Sequence, residues 1–201
     1  MRDKARGATD PRQTPGYRLG REITRRALIA AGAAVAATGS GQAAAQALRS
    51  FSFASIDGGT IDLAAWRGRP VLVVNTASRC GFTPQYDGMQ ALWEGYRDRG
   101  LIVLAVPSDD FRQELSTEAE VKEFCEVNFG LDFPMTEITH VRGRKAHPFY
   151  AWVSETAGFR PRWNFNKVLI GPDGAVAGTW GSMTSPMSRE IRGAIEAMLA
   201  A

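Results

Sequence analysis

Two short apolar runs, Val71-Leu72-Val73-Val74 and Leu101-Ile102-Val103-Leu104-Ala105-Val106, constrain this chain more than any other feature. Each is too short for a helix, rich in β-branched residues and free of polar interruptions, the pattern of a strand buried on both faces. Between them, Pro84 to Arg99 carries Tyr86, Met89, Leu92, Trp93 and Tyr96 on one helical stripe, and Gly100 ends it. Strand, helix, strand in that order implies parallel pairing through a right-handed crossover. The expected core is therefore an α/β sheet covered by helices.

The segment leaving the first strand carries chemistry. Asn75 to Gly81 is polar and small, a loop, and it holds Cys80. Thr83-Pro84 reads as a helix start, with Thr to cap free N–H groups and Pro at the first helical position. A thiol just ahead of a helix start lies near free N–H groups and the positive end of the helix dipole, with Arg79 as a second positive charge. Both favour thiolate, the reactive form. Cys80 is the candidate nucleophile, and its bland alternative is a small buried hydrophobe.

The other elements follow in order. Ser50 to Ile56 and Thr60 to Leu63, joined by Asp57-Gly58-Gly59, read as an opening hairpin, and Ala64 to Gly68 as a turn or helical piece. After the polar loop Ser108 to Ser116, Thr117-Glu118-Ala119-Glu120 is a capping box that opens a helix to about Asn128. On it Val121, Phe124 and Cys125 share an apolar stripe. A short helix begins near His147-Pro148. Lys167 to Ile170 and Ala175 to Trp180, joined by Gly171-Pro172-Asp173-Gly174, form a hairpin. Ser185-Pro186 opens a last amphipathic helix with Ile191, Ile195 and Leu199. This order predicts a thioredoxin-like fold, a central mixed sheet flanked by helices, with an N-terminal hairpin and an inserted helix.

Charge divides the chain. Residues 1–47 carry eight of the 24 Lys and Arg and three of the 21 Asp and Glu, leaving 16 basic against 18 acidic residues in 48–201. The basic excess belongs to the leader, so nucleic-acid binding is not expected. The leader itself reads as a twin-arginine-like export signal: Thr24-Arg25-Arg26-Ala27-Leu28-Ile29, an Ala/Gly-rich run to about Thr38, then small-x-small sites at Ala43-Ala44-Ala45 and Ala45-Gln46-Ala47. Its apolar run is about a dozen residues, short of the ~20 that span a bilayer. The expectation is a periplasmic protein of residues 48–201, without membrane attachment after cleavage.

With Cys80 placed, the mature chain resembles the glutathione peroxidase family nearly end to end. Val74-Asn75-Thr76-Ala77-Ser78-Arg79-Cys80-Gly81-Phe82-Thr83 is similar to its Asn-Val-Ala-Ser-x-(selenocysteine or Cys)-Gly-x-Thr signature, and Trp163-Asn164-Phe165-Asn166-Lys167-Val168-Leu169-Ile170 to its Trp-Asn-Phe-x-Lys-Phe-Leu motif. Ala146-His147-Pro148-Phe149-Tyr150 and Phe133-Pro134-Met135 also fall where that family has comparable residues. The resemblance implies a thioredoxin-like fold and a catalytic set of Cys80, Gln113, Trp163 and Asn164. The family's loop reads Asn-Gln-Phe-Gly-x-Gln-Glu-Pro-Gly. Here Asp109-Asp110-Phe111-Arg112-Gln113-Glu114-Leu115-Ser116 is one residue shorter and lacks its glycines. Lost glycines mean lost backbone freedom, so Gln113 is expected to approach the sulfur at a changed angle or not at all. Asp109 and Asp110 raise the thiolate pKa if they face it. Cys125 stands where thioredoxin-using members carry a resolving cysteine, while a further family cysteine after Pro107 is replaced by Ser108.

The resemblance thus implies a peroxidase reducing hydrogen peroxide or organic hydroperoxides through a sulfenic acid at Cys80, resolved as a Cys80–Cys125 disulfide and recycled by a thioredoxin-like protein or glutathione. Resolution requires the helix of Cys125 to unwind locally. A packed, inert Cys125 is the bland alternative. For Trp163 it is an anchor beneath the sheet. His147 reads as a helix start rather than a base, and Arg142-Gly143-Arg144-Lys145 as a solvated loop, or else a dock for an acidic reductase or anionic peroxide. Two distant cysteines and two lone histidines do not supply four ligands, so no metal or bound cofactor is expected. Two other readings remain. A disulfide oxidoreductase or metallochaperone of this fold would show paired cysteines, yet position 83 is Thr83. A redox sensor would oxidise without turnover.

Overall fold

The computed structural model describes residues 51–199. The expected export segment over 1–47 and its cleavage sites lie outside the described residues.

Among the described residues, six strands form two sheets. The hairpin β1 (Ser52–Ala54) and β2 (Thr60–Asp62) is antiparallel, shorter than its apolar pattern, and followed by a 3-10 turn at Leu63–Trp66. The central sheet runs β4 (Ile102–Pro107), β3 (Val71–Thr76), β5 (Lys167–Ile170), β6 (Val176–Trp180). Its β3–β4 pair is parallel, as the strand-helix-strand order requires, and β3–β5 and β5–β6 are antiparallel. The segment 134–137 bridges hairpin and sheet: Ala105 N–H donates to Pro134 O, Ile56 N–H to Met135 O and Glu137 N–H to Ala54 O.

Alternation along the strands sends side chains to two cores. Leu72, Val74, Val103 and Leu169 face one side, packed by helices α1 (Gln85–Tyr96), α2 (Glu118–Phe129) and α4 (Arg189–Leu199). Val71, Val73, Leu104 and Ile170 face the other, packed by α3 (Pro148–Ala157) and the hairpin's Phe51 and Phe53. The mixed sheet, flanking helices, N-terminal hairpin and inserted α2 are the expected thioredoxin-like arrangement.

Three helix starts separate local signals that survive in the fold from those that do not. Thr117 accepts from Glu120 N–H while the Glu120 carboxylate accepts from Thr117 N–H, the expected capping box. His147 caps α3, its Nδ1 accepting from Phe149 N–H, so the proton sits on Nε2 and goes to Ser52 O at 2.9 Å. Burial lowers its pKa, consistent with a neutral structural ring rather than a base. Ser185-Pro186 does not open α4, which begins at Arg189 with Ser188 Oγ accepting from Ile191 N–H.

Candidate active site

Cys80 lies in the turn between β3 and α1 and is 7% exposed. Its backbone is braced by Thr83, whose hydroxyl accepts from Cys80 N–H at 3.1 Å and donates to Ala77 O at 2.9 Å. That corrects the helix-cap expectation. Thr83 caps nothing, because its hydroxyl is spent on the cysteine loop; α1 starts at Gln85 without a side-chain cap. The free N–H expected at the sulfur is present and comes from Phe82, 3.4 Å from Cys80 Sγ. The Arg79 side chain is exposed, and its backbone N–H donates to Gln113 O at 2.9 Å.

Residues 163–166 are bound to the strand that leads to Cys80. The buried Asn75 donates from Nδ2 to Trp163 O at 3.0 Å and accepts from Asn166 N–H at 3.1 Å. Asn166 Nδ2 donates to the same Trp163 O and to Ser182 Oγ, which donates to Asn164 O. The turn is tight enough to hold Phe165 at φ 59°, a left-handed conformation costly for an aromatic residue and sustained by its full burial against Tyr86. This turn points Asn164 inward and leaves Trp163 41% exposed, its ring 5.5 Å from that of Phe111. Trp163 is thus at the surface of the site, not an anchor beneath the sheet.

Gln113 does reach this region. Its Oε1 accepts from Asn164 Nδ2 at 3.0 Å, and its Nε2 donates to no described residue, nor does the Trp163 indole N–H. The loop achieves this without glycine by placing Arg112 at φ 57°. The two aspartates are otherwise engaged. Asp110 accepts from Val141 N–H, Arg142 N–H and His140 Nδ1, tying the loop to the 140–142 segment, and Asp109 Oδ1 accepts from Glu114 N–H. Beside Trp163 a groove of about 600 Å³ is lined by Phe82, Phe159, Met183, Arg160 and Arg162. Arg142 to Lys145 is exposed, as a solvated loop would be.

Cys125 is on α2, 1% exposed among Val121, Leu131 and Met135. Burial pushes its thiol up to about 12, against a smaller downward pull from the adjacent Tyr86 hydroxyl. Both cysteines are free thiols, and α2 is intact through Phe129.

Sequence reasoning passed over four polar residues that build this region: Asn75, Glu114, Asn166 and Lys167. Lys167 had a signal, a polar residue beginning an otherwise apolar buried strand, whereas Asn75, read as the first residue of the loop, lies within β3. Lys167 is wholly buried and donates to Gln85 Oε1 at 2.5 Å and Thr184 O at 2.6 Å, joining β5 to the first turn of α1; burial lowers its pKa to about 7. Glu114 had none, since nothing local marks a loop carboxylate as buried.

Residues 48–154 match the family model for glutathione peroxidase. A glutathione peroxidase of Lactococcus lactis is 39% identical over 149 residues, covering 71% of this chain and 95% of that protein. A hydroperoxy fatty acid reductase of Synechocystis is 38% identical over 160 residues, covering 74% and 94%. Among solved structures, the T. cruzi GPX1 crystal structure superposes with a TM-score of 0.61 at 28% identity, covering 77% of this chain and 97% of that one.

Proposed function

The chain belongs to the glutathione peroxidase family, and from that premise we propose how it performs the thiol-dependent reduction of hydroperoxides. The Cys80 thiolate attacks one oxygen of the peroxide O–O bond, an S–O bond forms as O–O breaks, and the departing alkoxide or hydroxide takes a proton from solvent. Gln113 and Trp163 supply neutral N–H donors that stabilise thiolate and leaving oxygen without titrating, and Asn164 orients Gln113 through its bond to Oε1. Cys125 then attacks the sulfenic sulfur, giving a Cys80–Cys125 disulfide and water, and either one thioredoxin-like dithiol, itself oxidised to a disulfide, or two glutathione thiols, joined as glutathione disulfide, restore both thiols. The twin-arginine-like leader supports the periplasm as the compartment.

The observation that carries this reading is the setting of Cys80. Its sulfur receives the Phe82 N–H, and the Gln113–Asn164 pair is bound to the same loop through Arg79 N–H. The test is the intact mass of the reduced protein before and after one equivalent of hydrogen peroxide, with Cys125→Ser alongside. The expected result is loss of two hydrogens in the wild type and gain of one oxygen in the variant. Gain of oxygen in both removes Cys125 from the mechanism; no change in either overturns the peroxidase chemistry at Cys80.

A further inference from the structure

We infer that Glu114 is a positioning residue for peroxide attack, its buried carboxylate fixing Gln113 against the Cys80 loop through the backbone N–H of Ser78. The inference rests on reading Gln113 as a donor at the reacting sulfur.

Glu114 is 6% exposed on a surface loop, an unusual place for a carboxyl group. Its Oε1 accepts from Ser78 N–H at 2.9 Å and from its neighbour Leu115 N–H at 2.9 Å. The Gln113 carbonyl accepts from Arg79 N–H at 2.9 Å. Two consecutive N–H groups just before Cys80 are thus held by two consecutive residues of the other loop. One bond uses a backbone carbonyl and the other a side chain. Rotation about the first bond alone would swing the Gln113 side chain; the second prevents it. The other edge of the peptide group that carries the Gln113 carbonyl is fixed by Glu114 N–H on Asp109 Oδ1. The left-handed Arg112 turns the chain just upstream, and these bonds fix the two residues that follow the turn.

The hydrogen-bond pattern also separates reach from charge. Oε2 is buried without a partner, as is Ser78 Oγ, so the bonds that matter all end on Oε1. Burial raises the Glu114 pKa. A glutamine keeps an acceptor at Oε1 and places an amide N–H₂ near the orphaned Ser78 Oγ. An aspartate keeps the charge but stops one methylene short of Ser78 N–H.

The experiment measures the second-order rate of Cys80 oxidation by hydrogen peroxide in full-length Glu114→Gln, Glu114→Asp, Gln113→Ala and the double variant Glu114→Asp/Gln113→Ala, with thermal unfolding of each. Glu114→Gln is expected within about threefold of wild type, and Glu114→Asp slowed about tenfold, as small misplacements of catalytic groups do. Adding Glu114→Asp to Gln113→Ala should bring no further loss, because the effect passes through Gln113. A fast Asp variant with a slow Gln variant makes charge the determinant and overturns the inference. So do additive losses, or rates that simply follow thermal stability. If Gln113→Ala is as fast as wild type, the reading of Gln113 itself falls and the inference with it; a slow Gln113→Ala beside fast Glu114 variants overturns the inference alone.

Discussion

Cys80 and Cys125 are nearly equally withdrawn from solvent, 7% and 1% exposed, and border the same core, yet their surroundings differ in kind. Cys80 sits in a loop whose backbone is bound at every turn: by Thr83, by Gln113 O, by Glu114 Oε1, and by Phe82 N–H at the sulfur itself. Cys125 sits on a regular helix whose polar groups are spent on the helix, and its sulfur meets apolar side chains and one tyrosine. Burial is therefore not what makes a thiol inert. In the proposed mechanism the thiol beside fixed donors reacts from the folded state, and the thiol beside hydrocarbon reacts once its element opens.

That contrast breaks most visibly at Cys125→Ser. If the helix thiol acts second, turnover with a dithiol reductant should fall by about a hundredfold or more, while sulfenic acid accumulates at Cys80. Steady-state peroxide consumption, with trapping of the sulfenate, checks both. Unchanged turnover would reduce Cys125 to packing.

A second prediction concerns pH. An exposed thiol titrates near about 8.5, and burial holds Cys125 at about 12. Packed α2 thus favours the thiol form. That contribution to its stability is fully present below about pH 8.5 and is lost as pH rises towards 12, up to about 1.4 kcal/mol per pH unit. Hydrogen exchange of α2 amides, corrected for intrinsic rates, should lose protection above that pH, and Cys125→Ser should abolish the trend. The same trend in both proteins would detach the helix's opening from its thiol.

Thr117→Ala sharpens the comparison from the helix side. Removing the capping box weakens α2 by about 1 kcal/mol and so should speed disulfide formation after oxidation about fivefold, provided opening limits that step. Rapid-mixing mass analysis reads the sulfenate-to-disulfide conversion. An unchanged rate would mean that Cys125 reaches Cys80 by another motion.

The legible part of this molecule was its local part. The strand β4, the apolar start of β3 and the Thr117 box are each encoded within a few residues and formed as their patterns require, whereas β3 runs on through Asn75 and Thr76, which read as the start of the thiol loop, because both residues pair with β4. Long-range bonds overrode or escaped the pattern. Thr83 has the composition of a cap but finds better partners at Cys80 and Ala77. Asn75 meets Trp163 across 88 residues, and Glu114 meets Ser78 across 36. The motifs single out Cys80, Trp163 and Asn164 as candidates. No periodicity reports which loop carboxylate will be buried against another loop's N–H.

The loop that holds Gln113 offers the smallest test, at Arg112. Its φ of 57° is a region that L-residues enter at a cost of about 1–2 kcal/mol and glycine at none. Its side chain is exposed, so little packing opposes replacement. Against the relieved strain, a glycine gives the unfolded chain more freedom, a loss of roughly 0.5–1 kcal/mol. Arg112→Gly should therefore stabilise the domain by less than about 1 kcal/mol, a rise of about 1–3 °C in Tm for a chain of this size. If the Ser78 and Arg79 bonds fix the site, the Cys80 oxidation rate should stay within about twofold of wild type, because those bonds do not depend on Arg112. A large loss of rate on adding this freedom would show that the strained residue, not the clasp, holds Gln113, and the poised character of Cys80 would then be stored as backbone strain rather than as hydrogen bonds.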